Sequence, residues 1–139
     1  MLTATINYLA VLVTAILGMV IGALWFSPVL FGNLWMKLSG FTQQDIEKTK
    51  KKGMAKNYIA SFIGLLVMAY ITSHFVDYAQ AKTAIEGAVT GFWLWLGFIA
   101  TATLSSILWE GKPVKLYILK NGHNLVILLL MGGILAVWV

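Results

Sequence analysis

Residues 22–41, GALWFSPVLFGNLWMKLSGF, close one apolar run and open another that is too short to cross a bilayer. The break falls at Ser27-Pro28, because proline has no amide hydrogen and disfavours helical geometry in the residue before it. Beyond it Leu30, Phe31, Leu34, Trp35 and Leu38 recur at three- and four-residue spacing, with Asn33 and Lys37 between them. That is the pattern of a short amphipathic helix, expected over residues 28–39. Trp35 beside Lys37 suits a helix lying in the membrane interface, and Trp25, Trp35, Lys37 and Trp109 are the expected interfacial anchors.

The rest of the chain shows which side such a helix would lie on. Of its 139 residues 60% are hydrophobic and 11% charged, with a mean hydropathy of +0.85, whereas a soluble domain carries about 25% charged residues. Four segments approach the roughly 20 residues needed to cross a hydrocarbon core: residues 4–26, 54–76, 84–109 and 116–138. The expectation is one all-α domain over residues 1–139, an integral membrane bundle of four transmembrane helices with the short interfacial helix after the first. The first run follows MLTATIN, which has no Lys or Arg, and is expected to be retained rather than cleaved as a signal peptide. Cysteine is absent, which removes disulfides, thiolate metal sites and thiol catalysis.

The net charge of +5 is asymmetrically placed. Lys37, Lys48, Lys50, Lys51, Lys52 and Lys56 lie between the first two spans; Lys112, Lys115 and Lys120 lie between or near the ends of the last two; only Lys82 falls in the remaining loop. The positive-inside rule then places the first and third connections in the cytoplasm and both termini outside, in a cytoplasmic (inner) membrane. Anionic lipid is the natural contact of the KTKKK run. Nucleic acid is not an expected partner, since stacking aromatics and a recognised binding fold are both missing nearby.

Within the first connection, FTQQDIEKTKKKG reads as a helix start, with Thr42 as N-cap, Asp45 three residues on, and Phe41 and Ile46 placed for a hydrophobic staple. The lysines follow toward the far end, where the helix dipole favours cations. An ordered cytoplasmic helix is expected, ending at Gly53 or running through it. Both lysine-rich connections also begin alike, Trp25 to Pro28 in one and Trp109 to Pro113 in the other, a weak hint of two-hairpin pseudo-symmetry.

Membrane helices associate through close packing of small residues at four-residue spacing. Ala10, Thr14, Gly18 and Gly22 form such a stripe on the first span, Gly97, Thr101 and Ser105 on the third, with Ala60 and Gly64 on the second and Gly132 and Ala136 on the fourth. The first span is the expected site of closest approach, inside one chain or between chains. A homo-oligomer is expected from the small core that four helices provide.

The order Gly22, Trp25, Ser27-Pro28, Phe31-Gly32, Trp35, Lys37 and Gly40 resembles a bacterial family of small four-helix membrane proteins known as domain of unknown function 1761. The resemblance covers nearly the whole chain, including Asn7, the WLGF run at residues 95–98 and the turn from Trp109 to Pro113. It implies the four-helix fold. It implies no activity, cofactor or catalytic residue.

Polar residues at membrane depth are costly and so are functional candidates. Lys120, Asn121, His123 and Asn124 occupy an arc of about 160° on the fourth span, with Gly122 opposite. Folding the last two spans as a hairpin brings Thr103 and Ser106 to the depth of His123, with Glu110 nearer the surface. A polar pocket of Lys120, Asn121, His123, Asn124, Thr103 and Ser106, open to the cytoplasm, is therefore the candidate site. His123 could relay protons or contact a ligand; the plainer reading is a buried histidine bonded to Thr103, Ser106 or a lipid headgroup, with Lys120 snorkelling to the interface. At the other end, His74, Asp77, Lys82, Glu86 and Asn7 read as a solvated loop without metal-binding spacing.

Enzyme motifs are missing, and so is the intramembrane carboxylate of a small proton-coupled exporter. The expected function is non-enzymatic, without cofactor or metal: a small membrane module, transport- or channel-like, that passes or binds a small or lipid-like ligand of unknown identity. The alternative is an adaptor subunit that docks a partner or anionic lipid through its basic loop.

Overall fold

The computed structural model describes residues 5–138, in which the regular structure is helical: α1 (Tyr8–Trp25), α2 (Gly32–Ser39), α3 (Gln43–Lys51), α4 (Ala55–Tyr78), α5 (Ala84–Leu94), α6 (Ser105–Leu108) and α7 (Val114–Val137). Four helical stretches are long and apolar enough to cross a membrane: α1, α4, a third span over Ala84–Leu108, and α7. They match the four expected spans with ends displaced by a few residues; Ala4, the expected start of the first, lies outside the described residues.

Capping sets where the helices begin. Asn7 accepts from the Ala10 amide at 3.2 Å, and its side-chain amide donates to the Trp138 carbonyl at 3.4 Å, tying the start of α1 to the end of α7. Thr42 forms the expected capping box with Asp45: the Asp45 amide donates to the Thr42 hydroxyl at 3.1 Å, and the Thr42 amide donates to the Asp45 carboxylate at 2.9 Å. The Thr42 amide foremost, and then the Thr42 hydroxyl, hold the Asp45 carboxyl below its ordinary value. Of the two readings at Gly53, α3 stops there, because that glycine takes a φ of 89°.

The interfacial helix is shorter than expected. Residues 28–31 turn instead of coiling: Phe31 N–H donates to the Trp25 carbonyl at 3.0 Å and Gly32 N–H to the Ser27 carbonyl at 2.8 Å. The helix therefore begins at Gly32, since Pro28 opens a turn rather than a first helical turn.

The hub of the bundle is α7. In its apolar window 44% of residues are buried, against 11% in the third span, and it contacts α1, α2, α4, α5 and α6. The small side chains of Ala10 and Ala69 bring α1 and α4 close enough for Ile127, Met131 and Leu135 to fill the centre. Thr14, buried in that core, bonds to the Ala10 and Val11 carbonyls of its own helix at 2.9 and 3.0 Å.

The stripe on the first span faces inward within the chain. Gly18 receives Leu65 of α4, and Gly22 receives His123 of α7. The closest approach, however, is between α5 and α7, not at α1. A Cβ built on Gly87 would collide with the Gly132 carbonyl oxygen, and one built on Gly91 with the Leu128 carbonyl oxygen. The expected stripe of Gly97, Thr101 and Ser105 is exposed, and Gly97 has open space beside it. Gly87 and Gly91 lie upstream of that stripe, where the third span is still regular.

That regularity fails at Trp95. Residues Trp95–Ala100 are π-helical and Ala102–Leu104 form a 3-10 turn before α6. In the tightened segment Leu104 N–H donates to the Thr101 carbonyl at 3.2 Å, leaving the Ala100 carbonyl to another donor. The continuous third span expected over residues 84–109 is thus distorted in the half nearer the lysine-rich end.

Candidate functional site at the lysine-rich end

The distortion of the third span explains much of the polarity of α7. The Tyr117 hydroxyl donates to the freed Ala100 carbonyl. The Asn121 side-chain amide donates to the Thr103 hydroxyl at 3.0 Å, that hydroxyl donates to the Ile99 carbonyl at 2.6 Å, and the Ser106 hydroxyl donates to the Thr103 carbonyl at 2.9 Å. Trp95 Nε1 donates to the Asn121 carbonyl at 2.9 Å. A non-α segment at membrane depth needs such partners, because lipid supplies none. Asn121, Thr103 and Ser106 are consumed in this network.

Beside it lies a groove of about 190 Å³, lined by Thr103, Ser106, Glu110, Lys112, Leu116, Tyr117, Lys120, Asn121 and Asn124. Five of the six expected pocket residues line it. The sixth, His123, does not.

His123 faces α1 instead. Its Nε2 lies 3.3 Å from where a Cβ on Gly22 would stand, and its ring packs 5.0 Å from Phe26 and 6.0 Å from Trp25, centroid to centroid. Nε2 is buried with no hydrogen-bond partner among the described residues, so the expected bond to Thr103 or Ser106 is not made. Residues 121 and 123 sit about 160° apart around a helix. One arc was wide enough to serve two neighbours of α7, the third span on one side and α1 on the other.

An aromatic cap closes over the histidine. Trp25 packs against Phe31 in a tilted contact at 4.8 Å, Phe26 meets Trp35 edge-on at 5.4 Å, and Trp35 packs at a tilt against Phe41 at 5.4 Å. Trp25 is half-buried, and its Nε1 donates to the Leu119 carbonyl at 3.1 Å, while Gly122 leaves room for its ring. Trp25 is therefore pinned to α7 inside the bundle. Trp109, 86% exposed, has no comparable contact, so the two connections are alike in sequence but not in geometry. Lys37 is exposed and Trp35 half-buried on α2. Gly32 is obligatory in the turn, because a Cβ there would stand 2.6 Å from the Ser27 carbonyl.

Six of the residues that carry the family resemblance meet in one place: Gly22, Trp25, Ser27, Phe31, Gly32 and Trp35 build the cap over His123. The family match itself covers residues 9–136. The chain belongs to DUF1761, a family of proteins of unknown function. No curated protein and no solved structure matches it.

At the opposite end of this DUF1761 chain the expected loop cluster is only partly assembled. Asn7, Asp77 and Lys82 line a cavity of about 40 Å³ with Ser73, Gln80 and Trp138, room enough for water. His74 turns away, its Nδ1 2.8 Å from the Tyr70 carbonyl oxygen, and Glu86 caps α5 through Thr83. The sequence pattern does not single out Tyr117 at the lysine-rich groove, although it lies three and four residues before Lys120 and Asn121 on the same helical face. It also missed Trp95, whose indole was read only as part of the WLGF run.

Proposed function

We propose that this protein is a small, non-enzymatic module of a bacterial inner membrane that binds a small or lipid-like ligand at its lysine-rich, cytoplasmic end. The observation that carries the reading is the 190 Å³ groove, in which Lys112, Lys120 and Asn124 stand beside side chains already used by the distorted third span. Between this groove and the small outer cavity lies the close-packed layer of Thr14, Ala69, Ile127 and Met131. That layer favours binding on one side over a continuous channel. The test is ligand retention by the purified protein: Lys120→Gln with Asn124→Ala should release a co-purifying ligand that the wild type keeps, as read by native mass spectrometry. Equal retention by both proteins would count against the groove.

The orientation rests on the placement of nine of the ten lysines at one end. A C-terminal alkaline phosphatase fusion should be active and a C-terminal green fluorescent protein fusion dark. A homo-oligomer is supported by the exposed small residues Gly97, Thr101 and Ser105, and single-cysteine cross-linking there should trap dimers in native membranes. The adaptor reading draws on α3, none of whose residues is buried while its last turn carries Lys48, Lys50 and Lys51. Neutralising those lysines should leave the bundle intact and abolish any dependence on anionic lipid or an acidic partner.

A further inference from the structure

We propose that the groove takes a zwitterionic headgroup, a phosphate diester joined through two carbons to a primary ammonium, with the phosphate against Lys112 and Lys120 and the ammonium against Glu110. The inference rests on reading the groove as a ligand site. It goes further by using the one carboxylate there, which a simple anion would leave unexplained.

Charge decides between ligand classes. Glu110, Lys112 and Lys120 line one groove, and all three are exposed. A plain anion would gain from two ammonium groups and be repelled by the carboxylate. A plain cation would meet the reverse. A group bearing both signs a few bonds apart satisfies all three.

Hydrogen bonding narrows the choice further. Tyr117 and Asn121 are already engaged with the third span, which leaves the two lysines and the Asn124 amide as donors to a phosphate. On the other side Glu110 accepts, and a primary ammonium supplies three N–H donors where a quaternary ammonium supplies none.

The surroundings point to a lipid as the source. Leu104, Leu108 and Ile118 are 41%, 65% and 62% exposed, and they flank the groove in sequence on the third span and on α7. They leave apolar surface at the depth of the groove, against which the glycerol and first acyl carbons of a lipid would rest. A soluble phosphoethanolamine would leave them unused.

The experiment uses the full chain, purified in detergent and delipidated, with fluorescent phosphatidylethanolamine, phosphatidylglycerol and phosphatidylcholine of matched tails as probes. The ethanolamine lipid should bind tighter than either of the others by about threefold to tenfold, the scale of one partly exposed charge-assisted contact. Glu110→Gln should erase that preference while leaving phosphatidylglycerol binding unchanged or improved. Lys120→Gln should weaken all three lipids. Both positions are exposed, so unchanged melting temperatures are expected alongside. If phosphatidylglycerol binds as tightly as phosphatidylethanolamine and Glu110→Gln changes nothing, the zwitterion assignment falls and the ligand groove stands. If no lipid saturates and Lys120→Gln has no effect, both fall. Free O-phosphoethanolamine competing as well as the lipid would overturn the lipid source alone.

Discussion

Replacing Gly87 with alanine tests the packing that holds the last two spans together. The added Cβ would lie 2.6 Å from the Gly132 carbonyl carbon and from the Ala136 Cβ, where ordinary contact begins near 3.4 Å. Neither obstacle is the end of a flexible side chain, so α5 and α7 must part by about 1 Å locally, enough to forfeit roughly a quarter to a half of the dispersion energy of each contact so opened. Overpacking of this kind costs about 1–3 kcal/mol. Helix propensity runs the other way and returns at most about 1 kcal/mol, since alanine is the better helix former. With the full propensity gain, a net loss of up to about 2 kcal/mol is expected. The control is Gly97→Ala, where nothing stands within 4 Å of the new Cβ and only the propensity gain remains. Reversible unfolding in mixed micelles, followed by tryptophan fluorescence, should rank Gly97→Ala at or above wild type and Gly87→Ala well below it. Equal stabilities for the two variants would refute the close crossing of α5 and α7.

Other outcomes follow from single groups. Tyr117→Phe removes the donor to the Ala100 carbonyl and should cost about 1–3 kcal/mol in the same unfolding measurement, the range for a buried group left unpaired; a neutral result would mean that water or lipid reaches that carbonyl. His123→Leu removes a buried nitrogen that has no partner among the described residues and should raise stability by about 1 kcal/mol. A stabler variant that also loses ligand retention would show the histidine kept for function at the expense of stability. For the capping box, the lowered value of the Asp45 carboxyl means that its contribution to α3 is complete above the ordinary carboxylate range and disappears as the pH falls through the lowered value. Amide protection factors in α3, taken relative to the intrinsic exchange rate at each pH, should therefore be unchanged from neutral pH down to the ordinary range and fall only below it. Thr42→Ala should remove that dependence, and a fall already near neutral pH would contradict the assignment.

The parts of the fold that the sequence showed well were those governed by local rules. Span number follows from run length and hydropathy, and the Thr42 cap follows from residue types at fixed spacing. The start of α2 did not follow, because Pro28 is compatible both with a first helical turn and with the turn that Ser27 and Trp25 close through their carbonyls. Nor did the π-helical break at Trp95. No proline or polar cluster announces it, and it is held by donors more than fifteen residues away in sequence, Tyr117 and Asn121. The closest crossing was missed because Gly87 and Gly91 carry the same four-residue spacing as other stripes on the chain. Spacing says which residues share a face, not which neighbour that face will meet.

The polar turn of α7 shows why membrane-depth polarity must be divided before it is interpreted. Asn121 completes the hydrogen bonding of an irregular neighbour, and with Thr103 it would be expected in a protein of no activity at all. Lys120 and Asn124 border open space and carry the ligand reading. His123 belongs to neither set: it is enclosed by rings, unpartnered at Nε2, and covered by the segment whose residues mark the family. Trp25 and Trp95 grip α7 at the carbonyls of Leu119 and Asn121, two residues apart and from opposite neighbours. Each of those carbonyls already serves the helix with one lone pair and takes the indole with the other, so the grip does not weaken α7. The turn that borders the groove is in this way fixed from both sides. A ligand in the groove would meet a preset site.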